Sequence, residues 1–595
     1  MQESTKIEPR FKLIALLLVF LILAMFSTIS LLEHDLSLAL ARDNVLADII
    51  ALLPGAFQRF GVFLAIAFLF GAGTIFMDRN LERTSRTVFL TTAVIISLCL
   101  GWLVTTRVLQ FPICGDDSYI DFRYVRNWLS GSSFDYNPGA KVIGFTSHIH
   151  LIVLYLTCLI SKSTDVALVS QMINVVFQLV NFSIIYFFSL DVFKRRESAL
   201  AAICLYSLDP YGIQQTVFGK ETHILVCFLL LSIWAMFKNR IVASAWLTSI
   251  MPFIRPEAVI WWFLVLLFNL KQSKKKALIA YIPPCMLVLL AVLGLYFLFG
   301  TVVPHGMVGK FKMFYPMMPG FMFFNTLWMI GTGIILPRFY LDVPGIAYAL
   351  SAMLFGILTL VFAFRFLKQE PFRWYFVAVL VFMVIFGIKN PAPFGWYHCW
   401  YSLIPIFIGA AIVPALIDKL KDNSSSSPKL KKVLAGIVLA ILVSTQIGQQ
   451  FTRPRLDMTA FTFAWNNEFR RLIQFGYALD KMKEFPGSQT ATIGAPEIGY
   501  IGYKHQGDIL DFCGLLSPEV VKYGRLPESF QGKGEVLEIN PAIVKDLKPP
   551  YIITLEAFGR ELLKDDFFVS NYEKVGSWKN EWANSDGIFL YRLRK

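Results

Sequence analysis

Long apolar runs recur along this chain, and they limit what it can fold into. Two examples are FKLIALLLVFLILAMFSTISLL from Phe11 and AGIVLAILVSTQIG from Ala435. A membrane-spanning helix needs about 20 mostly apolar residues. Of the 595 residues, 56% are hydrophobic and only 16% are charged, which is more apolar than a water-soluble domain of this length would be. The sequence therefore predicts a polytopic α-helical membrane protein.

The basic excess indicates topology. Although the formal net charge is +14, the lysines and arginines lie in short loops and form no stripe with interleaved aromatics, so a nucleic-acid partner is not expected. Because positive short loops stay in the cytoplasm, clusters such as residues 194–196, 271–276 and 419–432 are placed inside. The eight cysteines show no CxxC pair, so we infer no disulfide framework. A bridge between Cys114 and Cys513 stays open.

The runs divide the chain into three parts. Residues 1–86 carry an extra N-terminal pair of spans, and residues 87–450 carry about eleven core spans. Within the core, the segments 145–160 and 319–341 are expected to lie along the outer leaflet without crossing. Residues 451–595 have the composition of a soluble α/β domain outside the membrane, with a helix at 465–483. Its expected strands are ATIGA, DILDF, YIITL and GIFLYRL.

Polar residues gather in the loops that face outward. Charges close to a membrane are costly and usually serve a function, so these loops predict a shared site. Ordinary solvated loop charges are the alternative. The loops are GDDSYIDFRY (115–124), DPYGIQQTVFGKETH (209–223), RPE (255–257), TVVPHGMVGK (301–310) and NPAPFGWYHCW (390–400).

An amphipathic helix is predicted to follow the paired acids of GDDSYIDFRYVRNWLSG, with Asp117 as its N-cap. Arg123 and Arg126 lie on its polar face, where they are expected to anchor the helix at the membrane interface. Adjacent carboxylates repel each other, which raises the proton affinity of at least one of them and suits a general base. The alternative is that Asp116 and Asp117 only cap the helix and interact with its dipole.

This stretch, followed by YNPGAKVIGFTS, resembles the DDAYISFRYARNL and WNPGERVEGYTNPLW signature of one branch of the GT-C membrane glycosyltransferases. The branch includes the terminal arabinofuranosyltransferases of mycobacterial cell walls. GKET (219–222), RPE (255–257) and PHGMVGK (304–310) are similar to later motifs of the branch in the same order, and residues 496–520 resemble a motif of its soluble domain. The resemblance covers about residues 90–595 and implies the GT-C fold.

The resemblance implies an inverting glycosyltransferase. Such an enzyme moves a sugar, arabinofuranose in the best-known relatives, from a polyprenyl-phosphate donor to an envelope glycan, lipid-linked glycan or glycoprotein. The reaction would occur at the outer face of a bacterial inner membrane, with the C-terminal domain in the periplasm. The sequence has no GxxxxGK[ST] or GxGxxG nucleotide signature, which favours a lipid-phosphate donor. The alternative function is a polytopic lipid or lipid-linked-oligosaccharide flippase.

The resemblance also assigns roles to residues. It makes Asp116 the first candidate for the base, with Asp117 beside it, and Lys310 the leading phosphate contact. An Arg255–Glu257 structural pair is an alternative to a substrate role for Arg255. Arg255 and His398 are weaker candidates for the phosphate, and Glu221 and His305 are candidates for binding sugar hydroxyls. Tyr397 is a candidate for stacking on a sugar face, although the interfacial aromatic belt is the favoured interpretation.

Metal binding is not expected from the sequence. His148 and His150 replace residues of the family motif, but an i, i+2 pair on a helix points to different faces. No cofactor is assigned, and a divalent cation held by the paired acids stays open.

Overall fold

The computed structural model describes residues 113–132, 134–207, 210–316, 327, 345–389, 395–422, 460–532 and 536–594. The N-terminal pair of spans expected in residues 1–86 lies outside these ranges, as does nearly all of the segment 319–341.

The first part of the described chain is helical. Two short 3-10 helices, Pro256–Ala258 and Gly395–Trp400, supplement its α-helices. These are α1 (Asp116–Leu129), α2 (His148–Ser161), α3 (Val166–Phe193), α4 (Arg196–Ser207), α5 (Pro210–Phe218), α6 (Thr222–Phe237), α7 (Ile241–Ile254), α8 (Val259–Gln272), α9 (Lys274–Phe299), α10 (His305–Met313), α11 (Gly345–Phe366), α12 (Glu370–Lys389) and α13 (Leu403–Asp422).

Two of the described helices, α3 and α9, are long and apolar enough to cross a membrane. They differ in their surroundings, since the most apolar stretch of α3 is 89% buried and that of α9 only 17%. A soluble protein would bury a helix as apolar as α9 in its core. Large apolar side chains are also exposed on α11 and α12, among them Leu354 and Val384. Such exposed apolar helices are typical of lipid-facing spans.

Helix α2 occupies the first segment that was expected not to cross. Its 14 residues give a length of about 21 Å, which is less than the roughly 30 Å of a hydrocarbon core. Leu151 and Leu154 are buried, whereas Ile152 and Leu156 are exposed, so one face packs on the protein. This length is too short for a helix that crosses the membrane, and the leaflet in which α2 lies stays a prediction.

Two stretches that were expected to be loops are partly helical. Residues 209–223 contain α5, and residues 301–310 lead into α10. In each case a proline stands at the start, Pro210 as the first residue of α5 and Pro304 before α10. Proline has no N–H to lose at a helix start and its φ suits the first turn.

The second part is a small α/β domain. Its helices are α14 (Ala460–Met482), α15 (Gly499–Lys504), α16 (Pro541–Leu547) and α17 (Asp566–Asn571). Its strands are β1 (Ile493–Ala495), β2 (Ile509–Asp511), β3 (Tyr551–Leu555), β4 (Tyr572–Trp578) and β5 (Ile588–Leu593), in the sheet order β2-β1-β3-β5-β4. Strand β1 pairs in parallel with β2 and β3, and the other pairs are antiparallel.

The sequence predicted four of these strands and α14, and the structure agrees. It missed β4, whose sequence YEKVGSW lies at a sheet edge and is mostly half-exposed. An edge strand with polar residues lacks the apolar pattern on which the prediction relied.

Helix α1 joins the two parts. Arg123 is 1% exposed, and its guanidinium donates to the carbonyl oxygens of Gly502 and Gly507, both at 2.8 Å. Arg126 donates to the carbonyl oxygens of Tyr503 and His505. The expectation that these arginines anchor α1 at the membrane interface is therefore wrong, because they hold the α/β domain instead.

The loop after α1 adds a further connection. The side chain of Asn137 donates from Nδ2 to the Ile509 carbonyl at 2.8 Å and accepts at Oδ1 from the Ile509 N–H at 3.0 Å. Ile509 lies in β2, an edge strand of the sheet. The Tyr136 hydroxyl donates to the carbonyl of Ile498 at 2.5 Å. The α/β domain is thus docked on α1 by main-chain groups.

Candidate functional site

The paired acids open α1, but neither caps it. The N-cap position is Gly115, and no side chain makes a capping hydrogen bond there. A Cβ on Gly115 would lie 2.1 Å from the ring of Phe218, the last residue of α5. Only glycine therefore fits where α5 comes close to the start of α1. The expectation that Asp117 is the N-cap is wrong. Both acids lie in the first turn, near the positive end of the helix dipole.

Asp116 is bound to the α/β domain. Its carboxylate accepts hydrogen bonds from the backbone N–H of Gly499 at 3.1 Å and of Tyr500 at 2.8 Å, at the start of α15. The residue is 9% exposed. Burial raises the pKa of this carboxyl, while the charge of Arg471 and the two N–H donors oppose the shift. Both of its oxygens are therefore occupied by main-chain donors.

Asp117 has different surroundings, although it is the next residue. It is partly exposed, and its backbone carbonyl accepts a hydrogen bond from Lys220 Nζ at 2.8 Å. Burial lowers the pKa of the Lys310 amino group, and the charge of Asp117 opposes that shift. The positive charges of Lys220 and Arg255 also lower the pKa of Lys310. We call these three cations the basic cluster.

Arg255 is paired with two acids. Its Nη1 lies 2.6 Å from Glu221 Oε1 and its Nε lies 2.5 Å from Glu257 Oε1. The guanidinium carbon lies 5.1 Å from the centre of the Tyr397 ring. The Arg255–Glu257 structural pair, which was one of two interpretations, is present.

Two further side chains, those of Asp121 and His150, lie close to the other carboxylate oxygen of Glu221. His150 Nδ1 lies 3.8 Å from Asp121 Oδ2 and 3.9 Å from Glu221 Oε2. All three residues are at most 3% exposed. Asp121 and His150 were not singled out as partners by the sequence, because they lie on different helices and no spacing links them. Each of the two residues could have been noticed by itself, because each is an ionisable residue within a helix that was predicted to be apolar or partly buried.

The other predicted residues are less connected. His305 donates its backbone N–H to the Ile143 carbonyl at 2.8 Å, and its Nε2 is buried without a hydrogen-bond partner among the described residues. The side chain of His398 lies outside the described residues. Cys114 and Cys513 are free, buried thiols, so the structure contains no bridge between them.

Comparisons with known proteins add little to this geometry. Residues 467–591 match the family model of a domain of unknown function, DUF8728, which covers less than half of the chain. No curated protein matches the sequence significantly. A solved structure that is similar is the crystal structure of ArnT from Cupriavidus metallidurans bound to undecaprenyl phosphate, at 9% identity and a TM-score of 0.47, covering 84% of this chain and 97% of that chain. A likeness of this degree carries no argument about activity.

Proposed function

We propose that this chain is an inverting glycosyltransferase of the GT-C type, acting at the outer face of a bacterial inner membrane. In this proposal it transfers a sugar from a polyprenyl-phosphate donor to an envelope glycan or glycoprotein. The observation that carries the proposal is a partly exposed carboxylate, Asp117, beside the basic cluster of Lys220, Arg255 and Lys310 on an apolar helical scaffold. The sequence motifs that resemble the arabinofuranosyltransferase branch support it, with arabinofuranose as the proposed sugar.

The chemistry needs a base and a cation. An acceptor hydroxyl attacks the anomeric carbon, the bond from that carbon to the phosphate oxygen breaks, and the hydroxyl proton moves to a carboxylate. A single displacement inverts the anomeric carbon. Negative charge grows on the leaving phosphate, and cations placed beside it stabilise the transition state.

We assign the base to Asp117 and not to Asp116, which reverses the order suggested by the family motif. A base must reach the acceptor proton within hydrogen-bond distance. Both oxygens of Asp116 accept backbone N–H groups and the residue is nearly buried. Asp117 is more exposed. In this assignment Asp116 holds the α/β domain against the active site.

We assign the phosphate contact first to Lys310, on α10. Arg255 is already balanced by two glutamates. Glu221, which is 1% exposed and bonded to Arg255, is not suited to a sugar hydroxyl. His305, Tyr397 and His398 remain proposed contacts on the donor side.

A transfer assay tests the proposal. The purified chain in nanodiscs would be offered a panel of polyprenyl-phosphate sugars, and the release of polyprenyl phosphate would be followed. We expect Asp117→Asn to lower the rate by about 10²–10⁴-fold because general-base catalysis is lost, and Lys310→Gln to lower it by about 10²–10³-fold. Asp480→Asn, an acid that is 68% exposed on α14, is the matched control and should leave the rate unchanged.

Other results would change the assignment. If Asp116→Asn abolishes transfer and Asp117→Asn does not, the base is Asp116. If the wild type consumes no donor in the presence of envelope acceptors, the glycosyltransferase proposal fails. A lipid-translocation assay in vesicles would then test the flippase alternative.

A further inference from the structure

The hydrogen bonds around His150 determine which ring nitrogen carries the proton. The Ser170 hydroxyl donates its single proton to the Gly219 carbonyl at 2.8 Å. The same oxygen lies 3.3 Å from His150 Nε2, so it can only accept there, and Nε2 is the nitrogen that carries hydrogen. In the neutral ring, Nδ1 therefore presents a lone pair.

That lone pair faces two carboxylate oxygens. His150 Nδ1 and Glu221 Oε2 are both buried and have no hydrogen-bond partner among the described residues. The ligand atoms of Asp121, His150 and Glu221 all lie within 4.8 Å of one another. Three electron-pair donors in a buried space repel each other unless a cation lies between them.

We propose that Asp121, His150 and Glu221 bind a divalent metal ion, Zn²⁺ in the first place, through Asp121 Oδ2, His150 Nδ1 and Glu221 Oε2. One imidazole and two carboxylates form a donor set that Zn²⁺ accepts. The Nε2–H bond to Ser170 is the support that a metal-binding histidine commonly has on its other nitrogen. The site joins α1, α2 and the turn before α6.

The distances around His150 Nδ1 are somewhat longer than those between the ligands of a bound metal ion. Ligands at about 2.0–2.2 Å from a zinc ion stand roughly 3.3–3.5 Å apart, so the two nitrogen–oxygen distances of 3.8 and 3.9 Å need a contraction of about half an ångström. The Asp121 and Glu221 oxygens, which lie within 4.8 Å of each other, need a contraction of up to about 1.4 Å. An N–H···O bond from a protonated ring needs about 2.7–3.2 Å. A protonated ring would need one of these distances to shorten by at least about 0.6 Å, so the measurements below distinguish an ion from a proton.

The neighbouring cations leave room for the ion. Lys220 Nζ lies 3.4 Å from Asp121 Oδ2, but its shorter contact is the Asp117 carbonyl at 2.8 Å. Arg255 binds Glu221 through Oε1, which leaves Oε2 directed at the histidine. With Asp117, Glu257 and Lys310 included, four acids face three bases, so the group has one negative charge in excess when His150 is neutral.

The metal content of the full-length protein is the direct test. The chain would be purified in detergent, any affinity tag removed, and zinc and manganese measured by mass spectrometry. We expect about one zinc ion per chain. His150→Gln should lose it, whereas His148→Gln, which removes another buried imidazole of the same helix, should retain it.

A second measurement does not depend on a variant that folds. Wild-type protein treated with a chelator should show an apparent Tm lower by at least about 3 °C, restored by added Zn²⁺, because an ion that binds only the folded state stabilises it. If no stoichiometric metal is found and neither Zn²⁺ nor Mn²⁺ changes the Tm, the proposal is overturned. Retention of metal by His150→Gln would overturn it too. Neither readout involves sugar transfer, so this inference and the proposed function fail separately.

Discussion

Two acidic sites, one in the helical part and one in the α/β domain, are stabilised in different ways. In the helical part Glu221 and Glu257 share the counter-charge of Arg255, at 2.6 and 2.5 Å. In the α/β domain Asp511 is fully buried, and backbone N–H groups of Cys513 and Leu516 bind its two oxygens at 2.8 and 2.7 Å. Neutral donors offset less of the cost of burying a charge than an opposite charge does. Burial accordingly raises the pKa of Asp511 to about 7.

The comparison predicts that loss of the Arg255 counter-charge in the helical part lowers the stability of the fold more than the other changes considered below. Arg255→Met leaves the buried Glu221 and the partly buried Glu257 without their cation, and breaking a buried pair costs about 3–5 kcal/mol. We expect the variant to unfold at a much lower temperature in a thermal-unfolding experiment or to fail to accumulate. Lys271→Met, which breaks an exposed pair with Glu370, is the control and should cost less than about 1 kcal/mol. Equal effects of the two substitutions would contradict the distinction.

The second prediction concerns pH and the α/β domain. The folded pKa of Asp511, about 7, exceeds the ordinary value of 3.8. The folded state therefore holds its proton more tightly than the unfolded state. The contribution to stability is full below pH about 4 and is lost as the pH rises through 7, with a total of up to about 4 kcal/mol. Unfolding of the full chain, followed from pH 4.5 to 8, should show this loss.

Asp511→Asn supplies the control for that slope. An amide cannot ionise, so the variant should lose the part of the pH dependence that comes from this residue. Its overall stability should fall, because Asn offers one acceptor oxygen where Asp offers two to Cys513 and Leu516. A variant whose pH slope matches that of the wild type would show that Asp511 does not carry it.

The smallest of the three effects is expected at the seam between the regions. A Cβ on Gly499 would lie 1.8 Å from the Asp116 carbonyl oxygen, so Gly499→Ala must displace main chain, at a cost of about 1–3 kcal/mol. We expect a lower unfolding temperature and faster cleavage between the two parts in limited proteolysis. Gly476→Ala, whose nearest neighbour is the Tyr500 hydroxyl at 3.5 Å, should be neutral or slightly stabilising in α14. Equal proteolysis of both variants would mean that the seam tolerates a shift.

The sequence predicted features with local or repeated patterns. Apolar runs indicated the helices, and alternating apolar residues indicated β1, β2, β3 and β5. The acid pair at the start of α1 was singled out because adjacent carboxylates close to a membrane are costly and usually serve a function.

Contacts distant in sequence were beyond such reasoning. The carbonyl oxygens bound by Arg123 lie 379 and 384 positions away, so a helix wheel could only show that this side chain was polar. Likewise, the spacing rule applied to His148 and His150 considered one helix, whereas His150 meets Asp121 and Glu221 from elsewhere. Both Arg123 and His150 are buried by residues that are distant in sequence, and a single-helix pattern contains no information about such partners.

The paired hydrogen bonds between Asn137 and Ile509 have a consequence for the sheet. The outward N–H and C=O groups of an edge strand are normally unpaired and can form hydrogen bonds with another polypeptide chain, which promotes aggregation. At Ile509 a side-chain amide takes both groups, at 2.8 and 3.0 Å, as a neighbouring strand would. At Ile509 the helical part therefore makes the hydrogen bonds that a sixth strand would make. It protects this edge of the sheet although Asn137 lies in a loop.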